Sequence, residues 1–321
     1  MSFKSTVTNL CLIAISVVIG LGAAEGLLRL KNGSMRNYDI EMWRYAKELK
    51  IRSDDPLLDH EHVSNGSAVL QSVTIRTNQW GLRGGPAPPP NPGQRRILFL
   101  GGSITLGWGV PEEDTVTARL ERRFKSDGED VVVMNAGIGN YNAVRSVELF
   151  FERLQPLQPT DIVMHFFLRD AEALEPGGGN WLLRNSELAV TLWAVMHQYL
   201  DPQGEASLVE HYRAVYRPGT PGFIATEAAL KRLADFARAH SIRIYLAMIP
   251  DIHNLENYPF AFAHQTMGRV AAEDGYRYLD LLPFFGTLPS RKIWAMPGDP
   301  HPNALGHAIM ADAVYPLLKL E

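Results

Sequence analysis

The stretch Arg96-Ile97-Leu98-Phe99-Leu100-Gly101-Gly102-Ser103-Ile104-Thr105 decides how this chain is read. Ile97 to Leu100 is apolar without a break, so the strand it predicts has both faces covered. Two glycines then allow a sharp turn, and a helix entrance carrying Ser103 follows. The same alternation continues downstream. Asp130-Val131-Val132-Val133-Met134-Asn135 and Asp161-Ile162-Val163-Met164-His165-Phe166-Phe167 read as further strands. Residues 242–249 read as a fourth strand and 276–279 as a fifth. Helices are predicted over 111–125, 143–154 and 225–240, with a closing helix over 304–320. In the first of these, Val116, Leu120 and Phe124 repeat every four residues behind an acidic first turn. Continuous apolar strands alternating with helices predict an α/β fold on a parallel sheet.

Functional groups in open parallel sheets gather at the carboxyl ends of the strands. Ser103 stands at the first such end. Read alone, its segment is a serine-capped turn, and no Gly-Lys-Ser/Thr is present to make it a phosphate loop. Asp299-Pro300-His301-Pro302-Asn303-Ala304-Leu305-Gly306-His307 precedes the closing helix. A serine hydroxyl becomes a nucleophile when an imidazole takes its proton and a carboxylate holds that imidazole. Asp299 and His301, on one proline-stiffened loop, supply both partners. The plainer reading is a helix start capped by Asn303, with His301 on the surface. A trio of Asp299, His301 and His307 matches no recognised metal spacing, so no metal is expected. After the second strand, Gly137-Ile138-Gly139-Asn140-Tyr141-Asn142 contains residues that tolerate positive φ and can aim backbone N–H groups at an anion. Taken by itself it is a turn. After the third strand, Arg169 can hold an anion or pair with Asp170 or Glu172 at the surface. Asp251 and His253, after the fourth, read as a polar loop.

Taken together, these blocks resemble the SGNH/GDSL hydrolase superfamily over about residues 70–320. The resemblance implies a three-layer α/β/α, flavodoxin-like fold with a parallel sheet. It implies Ser103 as nucleophile, with His301 and Asp299 completing a triad. It places the oxyanion donor at Asn140, beside Gly139. Two departures stand out. Gly102 replaces the aspartate of Gly-Asp-Ser, and Arg169 occupies the position of the oxyanion asparagine. The activity implied is that of a serine esterase or deacetylase acting on an acylated carbohydrate or another ester, with no cofactor. A polysaccharide O-acetyltransferase with the same triad is the alternative. A non-catalytic carbohydrate-binding or assembly protein is a third reading, for which Arg169 is the best argument. Relatives with an N-terminal anchor bring acyltransferase or polysaccharide-export partners into view.

At 321 residues the chain is long enough for one large domain or two ordinary ones. Its 46% hydrophobic and 21% charged residues are those of a globular protein, which argues against disorder and against multiple membrane spans. A formal charge of -4 provides no sequence-wide basic footprint for nucleic acid. The one cysteine, Cys11, rules out an intramolecular disulfide and a cysteine-built zinc site. Cys11 lies within an uncharged run from Leu10 to Ala24 that continues, past Glu25, through Leu30. Roughly 20 apolar residues span a bilayer. Residues 1–32 therefore read as a membrane anchor, as a signal segment cleaved after Gly22-Ala23-Ala24, or as a buried core helix. The first two place the remainder outside the cytoplasm, either as a single-pass inner-membrane protein with a periplasmic catalytic domain or as a secreted one. Residues 33–94 form a lead-in region ending in a Pro-rich linker. Residues 95–321 form the hydrolase domain, with a helical insertion at about 171–224 that reads as a rim over the site.

Overall fold

Apolar strands with covered faces have to stack edge to edge with helices on either side, and the chain does this. A computed structural model describes residues 3–33, 38–173, 181–200, 205–286, 288–296 and 299–319; at 3–5, 197–200, 205, 206, 299 and 300 it describes the backbone alone. Helices α1 (Phe3–Asn32) and α2 (Tyr38–Glu48) come first. Two antiparallel hairpins follow, β1 (Lys50–Arg52) with β2 (His60–His62) and β3 (Ser67–Leu70) with β4 (Val73–Arg76). The main alternation runs β5 (Arg95–Gly101), α3 (Ser103–Leu106), α4 (Val116–Ser126), β6 (Val131–Gly137), α5 (Ala143–Leu149) and β7 (Asp161–Phe167). Helices α6 (Trp181–Asn185), α7 (Glu187–Leu200), α8 (Glu205–Val215) and α9 (Pro221–Ala239) precede β8 (Arg243–Ile249). Then come α10 (Ala261–Asp274), β9 (Arg277–Asp280), α11 (Leu282–Phe285), the antiparallel pair β10 (Trp294–Met296) and β11 (Asp299–Pro302), and α12 (Ala304–Lys319).

The five central strands are all parallel, in the order β6-β5-β7-β8-β9. This is the doubly wound, flavodoxin-like order, and its direction reverses at β5 beside β7. Alternate side chains point to opposite faces. Leu98, Leu100, Met134, Met164, Phe166 and Leu246 meet the residues of α5, α9 and α10. Ile97, Phe99, Val163, Tyr245 and Ala247 meet those of α4 and α12. The three-layer α/β/α arrangement expected from the apolar strands is what forms.

Some boundaries differ from the sequence pattern. The helix expected from residue 111 begins at Val116, because Thr115 takes the cap and its Oγ1 accepts from the Ala118 N–H at 3.3 Å. Glu112–Asp114 is a separate 3-10 turn. The helix expected to run to 154 is α-helical only to Leu149 and continues as a π turn over Phe150–Leu154.

The chain forms two compact units, one of residues 1–47 and 178–202, the other of 48–177 and 203–321. In the smaller one, the Glu25 carboxylate of α1 accepts from Arg29 Nε at 2.7 Å, Ser186 Oγ at 2.8 Å and the backbone N–H groups of Leu188 and Glu187 at 2.9 and 3.1 Å. The charge that interrupts the apolar run thus caps the start of α7. The expected insertion is therefore divided. Its first two helices group with α1, while α8 packs in the larger unit. Residues 48–94, read from sequence as a lead-in and linker, also belong to the larger unit. The buried Arg83 guanidinium there donates to the carbonyls of Leu106, Gly107 and Val110.

Candidate active site

The site begins with two glycines. Gly101 ends β5 and pairs in register with Gly137 of β6. A Cβ on Gly101 would lie 2.2 Å from Thr105 Oγ1 and 2.7 Å from the His165 carbonyl oxygen. A Cβ on Gly137 would lie 2.1 Å from the Leu106 backbone nitrogen. Only bare backbone lets α3 settle this closely onto the strand ends. Ser103, the first residue of α3, is thereby presented, half-buried, at the switch point of the sheet.

Opposite it, β11 carries His301. Its Nε2 lies 2.7 Å from Ser103 Oγ, across 198 residues of sequence. A hydroxyl donates to an unprotonated ring nitrogen in such a pair, which is the arrangement that lets imidazole take the proton. The loop is pinned by Asn303, whose N–H donates to the Ile293 carbonyl at 2.7 Å and whose Oδ1 accepts from Leu305 and Gly306 N–H. Asn303 is thus the helix cap of the plainer reading, but His301 faces Ser103. The Asp299 side chain lies outside the described residues. His307 turns inward, and its Nδ1 accepts from the Val116 N–H at 3.2 Å. Burial, with His165 next, holds its imidazole well below the usual range.

The turn after β6 forms the next wall. Ile138 N–H donates to the Gly101 carbonyl, and Tyr141 N–H donates to that of Ile138. Asn140 sits in the left-handed region at φ 65°. Such a conformation costs roughly 1–2 kcal/mol for most L-residues and is easiest for glycine, asparagine and aspartate. Asn142 caps α5 by accepting from the Arg145 N–H at 3.0 Å. Sequence patterns did not reveal what holds this turn from behind. Lys50 Nζ donates to the Gly139 carbonyl at 2.7 Å, and His60 Nε2 lies 3.0 Å from the same oxygen. Burial first, and the Arg145 charge second, push the Lys50 ammonium down to about 7.

After β7, Arg169 is half-exposed and its Nε pairs with Glu172 Oε2 at 3.3 Å. Glu172 Oε1 also meets His211 Nε2 at 2.8 Å. Of the two surface partners open to Arg169, the structure selects Glu172. Asp170 turns inward instead. Its Oδ2 accepts from the Phe167 N–H at 2.9 Å, and burial raises its carboxyl to about 7. After β8, His253 Nδ1 lies 2.9 Å from the buried Asp251 carboxylate, so the polar loop contains its own hydrogen bond.

The blocks that the fold assembles are those of one family. The profile of the GDSL-like Lipase/Acylhydrolase family matches residues 99–309. The chain belongs to this family. It is therefore a hydrolase acting on ester bonds. No curated protein matches the chain. Among solved structures, this GDSL-like hydrolase is similar to a two-domain esterase active on acetylated mannans, at 20% identity and a TM-score of 0.45, over 71% of this chain and 49% of that one. It thus spans about half the length of that esterase. It is also similar to TesA, at 19% identity and a TM-score of 0.44, over 70% of this chain and 99% of that one. A third similar structure is the acetyl xylan esterase AlAXEase, at 15% identity and a TM-score of 0.42, over 70% of this chain and 99% of that one. Each is a likeness of fold.

Proposed function

We propose that this hydrolase cleaves acyl esters of carbohydrate outside the cytoplasm, with Ser103 as nucleophile and His301 as base. The observation that carries the reading is the 2.7 Å contact between Ser103 Oγ and His301 Nε2 at the switch point. Oγ attacks the ester carbonyl while its proton passes to Nε2. The same proton then goes to the departing sugar oxygen, leaving an acyl group on Ser103. Water repeats the sequence, returning the acid and the free serine. Asp299, two residues before His301 on β11, takes the orienting role. The backbone N–H groups of Ser103 and Asn140, the latter beside Gly139, take the oxyanion. Labelling by a fluorophosphonate tests the assignment. Intact protein should label stoichiometrically on Ser103, and labelling elsewhere, or none, would end it. A non-catalytic relative has no need of a serine and histidine in hydrogen-bond contact.

Arg169 is given a different role from the asparagine it replaces. It is half-exposed and tied to Glu172, itself tied to His211. This polar cluster suits sugar hydroxyls or an acidic substituent better than a developing oxyanion. An exposed ion pair of this kind is worth about 0–1 kcal/mol to the fold. Arg169→Ala should therefore leave the melting temperature nearly unchanged. It should raise KM for anionic esters and spare neutral ones. A comparable loss of kcat on every ester would return Arg169 to the oxyanion site.

The tether is proposed from α1. Thr6–Asn32 is 27 residues long, and an 18-residue window within it has mean hydropathy 2.2 and no buried residue. At 1.5 Å per residue it is long enough to cross a hydrocarbon core of about 30 Å. With no cysteine after Cys11, the exported part has no thiol to oxidise. Full-length protein should stay with carbonate-washed membranes and be digested by protease added to spheroplasts. Recovery in the cytosol with an intact N-terminus would exclude a tether.

A further inference from the structure

We propose that Lys50 and His60, from the β1–β2 hairpin outside the sheet, are positioning residues that aim the Asn140 N–H at the oxyanion. The inference rests on the roles given above to Ser103 and to that N–H. A peptide unit is planar and, when trans, its C=O and N–H point in opposite directions. The Gly139 carbonyl and the Asn140 N–H belong to one such unit, and the structure holds no cis bond among the described residues. Whatever fixes the carbonyl therefore fixes the opposite N–H. Two side chains converge on that carbonyl, Lys50 Nζ at 2.7 Å and His60 Nε2 at 3.0 Å. A carbonyl can only accept, so the His60 contact is a hydrogen bond in the tautomer that carries its hydrogen on Nε2.

The same hairpin ties down the residues on either side. The Tyr141 hydroxyl donates to the His60 carbonyl, and the two rings meet edge-on at 5.1 Å. Arg145 Nη1 donates to the Asn140 carbonyl at 3.3 Å. Behind the pair, Asp59 Oδ2 lies 3.0 Å from His60 Nδ1 and 3.8 Å from Arg145 Nη2. The carbonyls of two successive units, Gly139 and Asn140, and that of His60 in the hairpin are thus engaged by side chains. Two features make the arrangement more than packing. A partly buried ammonium beside Arg145 is costly, and an apolar side chain of similar length would fill the same space without that cost. Hydrogen bonds in a chain also polarise one another, by about 10–30% per bond, so a donor on the carbonyl makes the N–H behind it a stronger donor. Asn140 in the left-handed region bears a conformational cost that a glycine there would not, and the clamp offsets it.

The test is a set of variants assayed on a small neutral ester, with the melting temperature read alongside. Lys50→Met should lower kcat by about tenfold or more, short of the ~10²–10³ that loss of a whole oxyanion donor costs, with KM within about twofold. Lys50→Arg, which keeps a cationic donor, should recover most of that loss. His60→Gln should retain more kcat than His60→Phe, because the amide can still donate to Gly139. A boronic acid that forms the tetrahedral adduct should bind Lys50→Met more weakly by the same factor as kcat falls. Full kcat in Lys50→Met would overturn the proposal, as would a loss that follows the melting temperature and is not recovered by Lys50→Arg. If Lys50→Met does not fold, the His60 pair decides, and collapse of both sites would assign the clamp to stability alone and overturn it. Ser103→Ala separates the two layers. Full activity there would sink the triad, whereas an inactive Ser103→Ala beside a fully active Lys50→Met would sink only the clamp.

Discussion

Ser103→Ala and His301→Ala are each expected to abolish ester hydrolysis, with a loss of roughly 10³–10⁶ in rate. The expectation follows from the single 2.7 Å contact that joins the two side chains. Without the hydroxyl there is nothing to acylate. Without the imidazole the hydroxyl keeps its proton and stays a poor nucleophile. Neither change should unfold the protein, since both residues are half-buried at the site mouth. The Ser103 side chain makes no cap on α3, and Asn303 still caps α12. Because the two residues act as one unit, the double variant should be no worse than either single one. The measurement is kcat/KM on a chromogenic ester with purified, folded proteins. A Ser103→Ala protein that retains wild-type turnover would remove the proposed mechanism altogether.

Legibility in the sequence followed the physics of burial. The four inner and first-edge sheet strands, β5 to β8, were readable because strands covered on both faces are mostly apolar, and Ile97 to Leu100 or Ile162 to Met164 cannot be mistaken for half-exposed strands. Ser103 was readable because the carboxyl ends of such strands are few, and His301 because it follows Asp299 by two residues on a proline-stiffened loop before the closing helix. The hairpins of residues 50–76 were not readable in the same way. Their strands are three or four residues long, too short to establish a period. Lys50 and His60 consequently gave no signal, because their role comes from a tertiary meeting with Gly139, 89 and 79 residues away. The division of the insertion was hidden for a similar reason. The apolar residues of α7 announce a face to be covered, but not that its start is capped by Glu25 of α1. For Arg169 the sequence offered two acidic partners, and only the inward turn of Asp170, held by the Phe167 N–H, leaves Glu172 as the one it meets.

Gly137→Ala is expected to do more damage to the fold than any other single methyl added near the site. The clash is steric, not conformational. A Cβ at Gly137 would stand 2.1 Å from the Leu106 nitrogen, 2.6 Å from the Thr105 carbonyl carbon and 2.8 Å from the Leu106 Cα. All three are backbone atoms of the turn that carries Ser103, and real Cβ contacts do not approach so closely. No flexible side chain is available to give way. Leu106 N–H is bonded to the Gly102 carbonyl, and β5 and β6 are paired in register along their whole length. Overpacking of an ordinary core costs about 1–3 kcal/mol, and occasionally more when the neighbour is rigid. At about 2–4 °C per kcal/mol for a domain of this size, a cost of ~3 kcal/mol lowers the melting temperature by roughly 6–12 °C. Any protein that still folds would do so with α3 lifted off the strand ends. A displacement of about 1 Å at the reacting atoms can cost ~10²-fold in rate. Gly102→Ala is the control. Its Cβ would meet the Tyr141 carbonyl oxygen at 3.2 Å and Asp170 Oδ1 at an ordinary 3.9 Å, and a shift of a few tenths of an ångström relieves the closer contact. Thermal unfolding and kcat of the two variants should therefore fall in the order wild type, Gly102→Ala, Gly137→Ala. A Gly137→Ala protein that melts and turns over like the wild type would show that the serine turn does not rest on bare backbone.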